Sequence, residues 1–259
     1  MTFGLERQEE MSKLEITLKS DLCAACGDGF SSVIDTDVSY DKYGFPFIGG
    51  RRIKGCLREA AGLIGSPYIN EIFGVSGSND SGSLKISDAV MPGYDELKKE
   101  ACNSSLSVKE IIAAFAYTKA STAVKGDTAK ENSLRFTRVV KHFSPVDGEE
   151  MKFIADVDIA MEYVEEFSDI CKALRNIGYK RNRGFGAIEC RFTYENNPDS
   201  KTSVCDVQDE ECSYTYTIKL KDNIMLPGKV SDETMDYISG TSVMGFAAGK
   251  YVKKYGKEN

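Results

Sequence analysis

Three stretches far apart in this 259-residue chain alternate apolar and polar side chains: 12–20 (SKLEITLKS), 151–161 (MKFIADVDIAM) and 187–194 (AIECRFTY). A period of two sends successive side chains to opposite faces, so each stretch reads as a β-strand. Between them, residues 51–63 combine helix-forming side chains with Ile53, Leu57, Ala60, Ala61 and, just beyond, Ile64 at helical spacing. A further strand is predicted at 84–90, a mixed segment at 106–115, and a helix at 164–177 with Gly178 as its C-cap. Residues 117–140 read as two extended arms around the turn Lys125-Gly126-Asp127. The order strand, helix, strand, excursion, strand, helix, strand suits an α+β, ferredoxin-like sheet with insertions.

An internal repeat adds to this. Phe47-Ile-Gly-Gly-Arg-Arg-Ile-Lys-Gly returns, 190 positions later, as Tyr237-Ile-Ser-Gly-Thr-Ser-Val-Met-Gly. Each copy follows an alternating strand (LEITLK; YTYTIKL) and a polar loop, and each precedes a helical run. The expected organisation is a first module over 1–195, an acidic linker over 196–212, and over 213–259 the first strand and helix of an incomplete second module. The rest of that module would come from a partner or from a longer polypeptide.

Charge is unevenly spread. The chain totals −7, yet residues 51–59, 118–141 and 172–191 carry net +3, +4 and +5, leaving the remainder strongly acidic. Converging on one surface, these segments could track a phosphate backbone; apart, they would be three solvated faces. No apolar run approaches a membrane span, and the charged N-terminus lacks a signal-peptide core, so a cytoplasmic protein is expected. The eight cysteines then read mainly as thiols. Cys23-Ala-Ala-Cys26 has the spacing of half a zinc site, but a second pair is missing and His142 is the sole histidine.

Two glycine-bearing segments invite a phosphate. Gly49-Gly50 opens a helix, where backbone N–H groups and the positive dipole end can approach an anion, and Arg51, Arg52 and Lys54 add charge at the same start. The alternative is a tight strand-to-helix turn with solvated arginines. In Lys180-Arg181-Asn182-Arg183-Gly184-Phe185-Gly186 the glycines permit close approach and the arginines can pair with phosphates. Phe185 would stack on a base or lie in the core. The 117–140 hairpin, with Lys125, Arg135 and Arg138, is either a nucleic-acid arm or an ordinary surface hairpin.

Taken in order, four motifs resemble those of the RAMP superfamily, the backbone proteins of type III CRISPR complexes. They are Ile34-Asp35-Thr36-Asp37-Val38 leading to Tyr43–Gly55, Phe73-Gly74 with Gly82–Ala89, Thr122–Arg135, and Gly178–Gly186. The resemblance covers about residues 12–194. It implies a ferredoxin-like (RRM-like) RAMP fold with an inserted thumb hairpin, bound to CRISPR RNA and complementary target RNA beside other RAMP subunits, with no membrane. It also implies that Asp35 is catalytic, holding Mg or Mn for cleavage of target RNA. Asp37, where the family often has proline, would add a second catalytic ligand or displace the loop. Gly49 replaces a proline of the family pattern, and Arg51-Arg52 a small hydroxylated pair. Two other roles fit the same resemblance. One is a CRISPR RNA-processing endoribonuclease, which wants a histidine or tyrosine base, His142 being beside the thumb. The other is a non-catalytic end-capping subunit.

Overall fold

The alternating segments pair with one another in the computed structural model, which describes residues 12–24, 34–75, 77, 82–194, 218, 220 and 237–255. These belong to two compact units, Met1–Cys205 and Asp206–Asn259. In the first, β1 (Ser12–Leu18), β2 (Lys85–Ile86), β7 (Lys152–Asp158) and β8 (Ile188–Thr193) form an antiparallel sheet in the order β2-β7-β1-β8, the ferredoxin-like arrangement. Register puts Ile16 opposite Phe153 and Cys190, and Leu14 opposite Ala155 and Phe192, all on one face. Helix α1 (Gly50–Ile64) and α5 (Val164–Ala173) cover that face with Ile53, Leu57, Phe167 and Ile170. Each fully buried large apolar side chain contributes roughly 1.5–3 kcal/mol, so this face supports the unit.

The other face is polar. Lys13, Glu15, Lys152, Glu189 and Arg191 stand on it, with Lys152 3.4 Å from Glu15 and Arg191 2.7 Å from Glu189. Its described positions carry no aromatic side chain, so it is not the base-stacking platform that many RNA-binding sheets present.

Between β2 and β7 the chain forms α3 (Tyr94–Asn103), α4 (Val108–Phe115) and the excursion. The excursion is a hairpin: β3 (Ala116–Ser121) pairs with β6 (Arg135–Val140), and β4 (Val124–Lys125) with β5 (Thr128–Ala129) around Gly126. One arm has more residues between its two strands than the other. Asn132 takes a left-handed φ of 56° there, and Ser133 closes the irregularity by accepting from the Ala123 N–H at 3.1 Å and donating to the Lys130 carbonyl at 2.6 Å.

Several expectations shift. The 84–90 strand is continuous only at Lys85–Ile86, resuming as single bridges at Ala89 and Val90, because three residues between Ile86 and Val90 face two between their partners Val157 and Ile154. Helix α5 stops at Ala173, and Gly178 is not its C-cap. Residues 175–177 instead pair with the chain returning to β8, with Ile177 donating to the Gly186 carbonyl and Ile188 to the Arg175 carbonyl. Ile64 is 45% exposed rather than core. The 106–115 segment is helical from Val108, capped by Ser107, whose hydroxyl and Glu110 form a capping box, and α3 was not foreseen.

In the second unit α6 (Gly240–Tyr255) begins at the counterpart of Gly50, with Ser239 accepting from the Ser242 N–H at 3.3 Å. The 196–212 linker, Cys26 and most of the expected 213–220 strand lie outside the described residues.

Candidate nucleic-acid interface

Two backbone clamps hold the loop 177–186. At its start Tyr179 donates to the Cys23 carbonyl at 2.8 Å, and at its end Gly186 donates to the Asp21 carbonyl at 2.9 Å. Glycine is required at both places. A Cβ on Gly178, at φ +89°, would meet the Cys23 carbonyl at 2.6 Å; one on Gly186, at φ +70°, would lie 1.9 Å from the Ile177 carbonyl. Between them Arg181–Arg183 make a single 3-10 turn flanked by left-handed Lys180 (φ 59°) and Gly184 (φ 82°).

This loop joins the three basic segments. Arg181 donates to both oxygens of Glu59 on α1, at 2.8 and 3.3 Å, which raises its pKa further. Lys180 reaches β6, donating to the Thr137 hydroxyl at 2.8 Å, and the Lys119 ammonium of β3 sits 4.7 Å from the Phe185 ring centroid. A depression of about 530 Å³ opens here, lined by Glu59, Asn176, Tyr179, Lys180, Arg181, Asn182 and Arg183. Of the two readings for Phe185, the structure has the core one. Its ring is buried against Cys23 and Val139 rather than offered to a base.

The Asp35–Asp37 loop is stitched to the thumb's returning strand. Asp35 donates its N–H to the Phe136 carbonyl at 3.0 Å, and its carboxylate accepts from the Phe136 N–H at 2.8 Å. The Asp35 side chain stays 39% exposed, with the Arg135 guanidinium 3.6 Å away. Asp37 differs. Its side chain is only 1% exposed and accepts from Arg138 at 2.8 and 3.0 Å and from the Val38 N–H at 2.8 Å. The calls for Asp37 as a catalytic ligand and for Arg138 as an RNA contact meet this pairing: Asp37 is buried, and the Arg138 guanidinium is engaged with it. Among the described residues no cluster of three His, Cys, Asp or Glu could hold a metal. Asp35 alone fits a divalent cation that takes one carboxylate and completes its shell from RNA phosphates and water.

The helix-start reading also changes. The Gly50 N–H donates to the Asp88 carboxylate at 2.7 Å, so an anion of the protein itself stands at the positive end of α1. Gly50 is needed because β2 crosses it, a Cβ there lying 2.7 Å from the Ile86 carbonyl, whereas a Cβ on Gly49 would clear its nearest neighbour, the Asp88 carboxylate, at 3.8 Å. Lys54 donates to the Leu84 carbonyl at 2.8 Å, and its pKa is lowered by burial and then by Arg58. Arg51 remains exposed and Arg52 half-buried; Lys125 and Arg135 are exposed on the thumb, and Arg183 on the loop.

One cluster was missed. Asp21 accepts from the Tyr117 hydroxyl at 2.6 Å and lies 2.6 Å from His142 Nδ1, at the base of both thumb arms. Burial pushes the Asp21 carboxyl up, but the hydrogen bonds from Tyr117 and His142 outweigh it and hold it below its usual range. The same bond pushes the Tyr117 phenol to about 12. Because the Asp21 carbonyl accepts from Gly186, Asp21 links His142 and Tyr117 at the thumb base to the end of the glycine-rich loop. The sole histidine was the only sequence signal.

A family model described as RAMPs, RAMP superfamily, matches residues 15–189. Among solved structures, cryo-EM structures of type III-B Cmr-beta are similar. In the form bound to cognate target RNA the TM-score is 0.53 at 13% identity, covering 70% of this chain and 96% of that one. In the apo state it is 0.54 at 13% identity, with the same coverage of 70% and 96%. At that identity the likeness is one of fold. No curated protein sequence matches.

Proposed function

The chain belongs to the RAMP superfamily, and from that premise we propose that it is an RNA-binding subunit of a type III CRISPR interference complex. One observation carries this reading: the glycine-rich loop joins α1 and both thumb arms into one basic surface, through Arg181–Glu59, Lys180–Thr137 and Lys119–Phe185. The similar Cmr-beta structure that holds cognate target RNA supports RNA as the ligand and other RAMP subunits as partners. Contacts would go to backbone and shape, leaving sequence recognition to pairing between guide and target.

Cleavage of the paired target belongs to the same proposal. Asp35 offers a partly exposed carboxylate that accepts one hydrogen bond from the Phe136 N–H, on a backbone tied by a second to the Phe136 carbonyl, and Arg135 stands beside it. Magnesium or manganese held there would neutralise charge on the scissile phosphate. Asp35 orients, Arg135 adds a positive charge, and the neighbouring 2′-OH is already in reach of that phosphate. Assembled with guide and complementary RNA, the complex is expected to make metal-dependent cuts with 2′,3′-cyclic phosphate and 5′-hydroxyl ends. Asp35→Ala should abolish them and spare guide binding. Asp37→Ala should instead lower stability, by about 3 kcal/mol at most, for a partly buried cation left unpaired. Target binding without cutting by the wild-type complex, with magnesium and manganese present, would remove the catalytic part.

A second reading, processing of precursor CRISPR RNA, rests on Asp21–His142–Tyr117 at the loop. It requires metal-independent cutting that His142→Ala abolishes.

A further inference from the structure

We propose that the depression on the glycine-rich loop is a preformed subsite for one unpaired nucleotide, its base stacked on Tyr179 and its phosphate held by Arg183. This deepens the RNA-binding reading and rests on it. With Phe185 buried, the loop's aromatic surface is Tyr179, which is 51% exposed at the edge of the depression.

The backbone is built to display that ring. The Tyr179 N–H is tied to Cys23, and its neighbours Gly178 and Lys180 both take positive φ, 89° and 59°. A left-handed non-glycine residue costs roughly 1–2 kcal/mol, and such an outlier persists where surrounding structure over-determines it, often at binding sites. Here the Lys180 ammonium, bonded at 2.8 Å to the buried Thr137 hydroxyl, fixes the turn. It also stands 5.7 Å from the Tyr179 ring centroid.

The surroundings select the ligand. Glu59, the lining carboxylate, is taken up by Arg181, so the depression is cationic. Arg183 is exposed and, among the described residues, in no ion pair, which leaves it for a phosphate. Asn176 and Asn182 supply amides that both donate and accept, as a base edge does. A flat aromatic face, a guanidinium and amides match a nucleotide. A base inside a duplex has both faces covered, so the nucleotide must be unpaired.

The test compares the full chain and its variants on three probes: single-stranded RNA, the same strand with all bases removed, and duplex RNA. Tyr179→Ala should weaken single-strand binding roughly ten-fold or more and leave the base-free strand unchanged. Tyr179→Phe should bind like wild type, because stacking needs the ring and not the hydroxyl. Arg183→Ala should weaken both single strands. Equal single-strand affinity of Tyr179→Ala and wild type, with matched thermal unfolding, overturns the subsite while leaving the RNA-binding proposal standing. So does a Tyr179→Phe loss as large as that of Tyr179→Ala, or wild-type preference for duplex. If wild type binds no RNA probe, the parent reading fails and the subsite with it.

Discussion

The glycine-rich loop and the thumb are both basic and both reach Asp21, yet they are held in opposite ways. The loop is clamped at Cys23, Asp21 and Glu59, and two of its glycines sit where no side chain fits. The thumb beyond its base is exposed along almost its whole length and held by its own ladder, with Ser133 closing the mid-arm irregularity. A clamped loop can place a guanidinium or a ring to within fractions of an ångström. An exposed hairpin offers reach and charge. On the RNA-binding role proposed above, geometry-dependent recognition would fall to the loop and salt-dependent attraction to the thumb.

The sharpest way to break this contrast is a single methyl group at each place. Gly186→Ala puts a Cβ 1.9 Å from a carbonyl at φ +70°, whereas Gly126→Ala at the thumb tip, φ +64°, meets nothing within 4 Å. The tip variant should lose about 1 kcal/mol, the left-handed penalty alone. Gly186→Ala should lose at least about 3 kcal/mol, because the backbone must move as well. Denaturant unfolding of the two variants measures it, and similar losses would mean that the loop is no stiffer than the hairpin.

The difference between the two regions was only partly legible in the sequence. The strands and α1 followed from alternation and helical spacing, and the hairpin from Lys125-Gly126-Asp127. Those signals are local. What failed depended on partners remote in sequence. Nothing near Asp37 announces that Arg138, 101 positions on, will bury it. Nothing near Gly50 shows that Asp88 will stand at the helix start in the place of a phosphate. Phe185 and Tyr179 lie in one short motif, and only Cys23 and Val139 decide which ring turns inward. The two helix starts of the repeat make the same point. Gly50 is needed because β2 crosses it, while its counterpart Gly240 has nothing within 4 Å.

A smaller effect should separate the regions by salt. Replacing Lys125, Lys130 and Arg135 of the thumb with alanine removes three exposed charges. It should lower single-strand affinity at low salt and reduce the slope of log affinity against log salt by about 2, at about 0.7 for each phosphate no longer neutralised. Arg183→Ala should change the slope by less than 1, since it removes a single cation. Filter binding across a salt series resolves the two. A thumb variant with the wild-type slope would end the division of labour.

The smallest effect concerns the residue that both regions share. Asp21 receives the loop through its carbonyl and the thumb through its carboxylate, with Tyr117 donating to it. That bond, with burial second, pushes the phenol from its ordinary 10.0 to about 12. The sign follows from the raised value: the folded state favours the protonated phenol. Its contribution is therefore complete below about pH 10 and is lost as pH climbs through about 12. The Asp21 carboxyl is held low, so its own contribution is present at neutral pH and fades only in acid, as pH falls through its depressed folded value. The alkaline window thus separates Tyr117 from Asp21, and the comparison with Tyr117→Phe separates it from the other alkaline groups. Unfolding free energy measured between pH 9 and 12, where the unfolded phenol titrates near 10, should fall more steeply in wild type than in Tyr117→Phe. Because the phenol is partly exposed, solvent screening keeps the difference modest. Hydrogen exchange should place the change at β3 and the end of β6, with the loop amides following only if Asp21 transmits it. Parallel stability curves for the two proteins would show that Tyr117 does not anchor the thumb, and protection lost in the thumb alone would show that Asp21 holds the two regions independently.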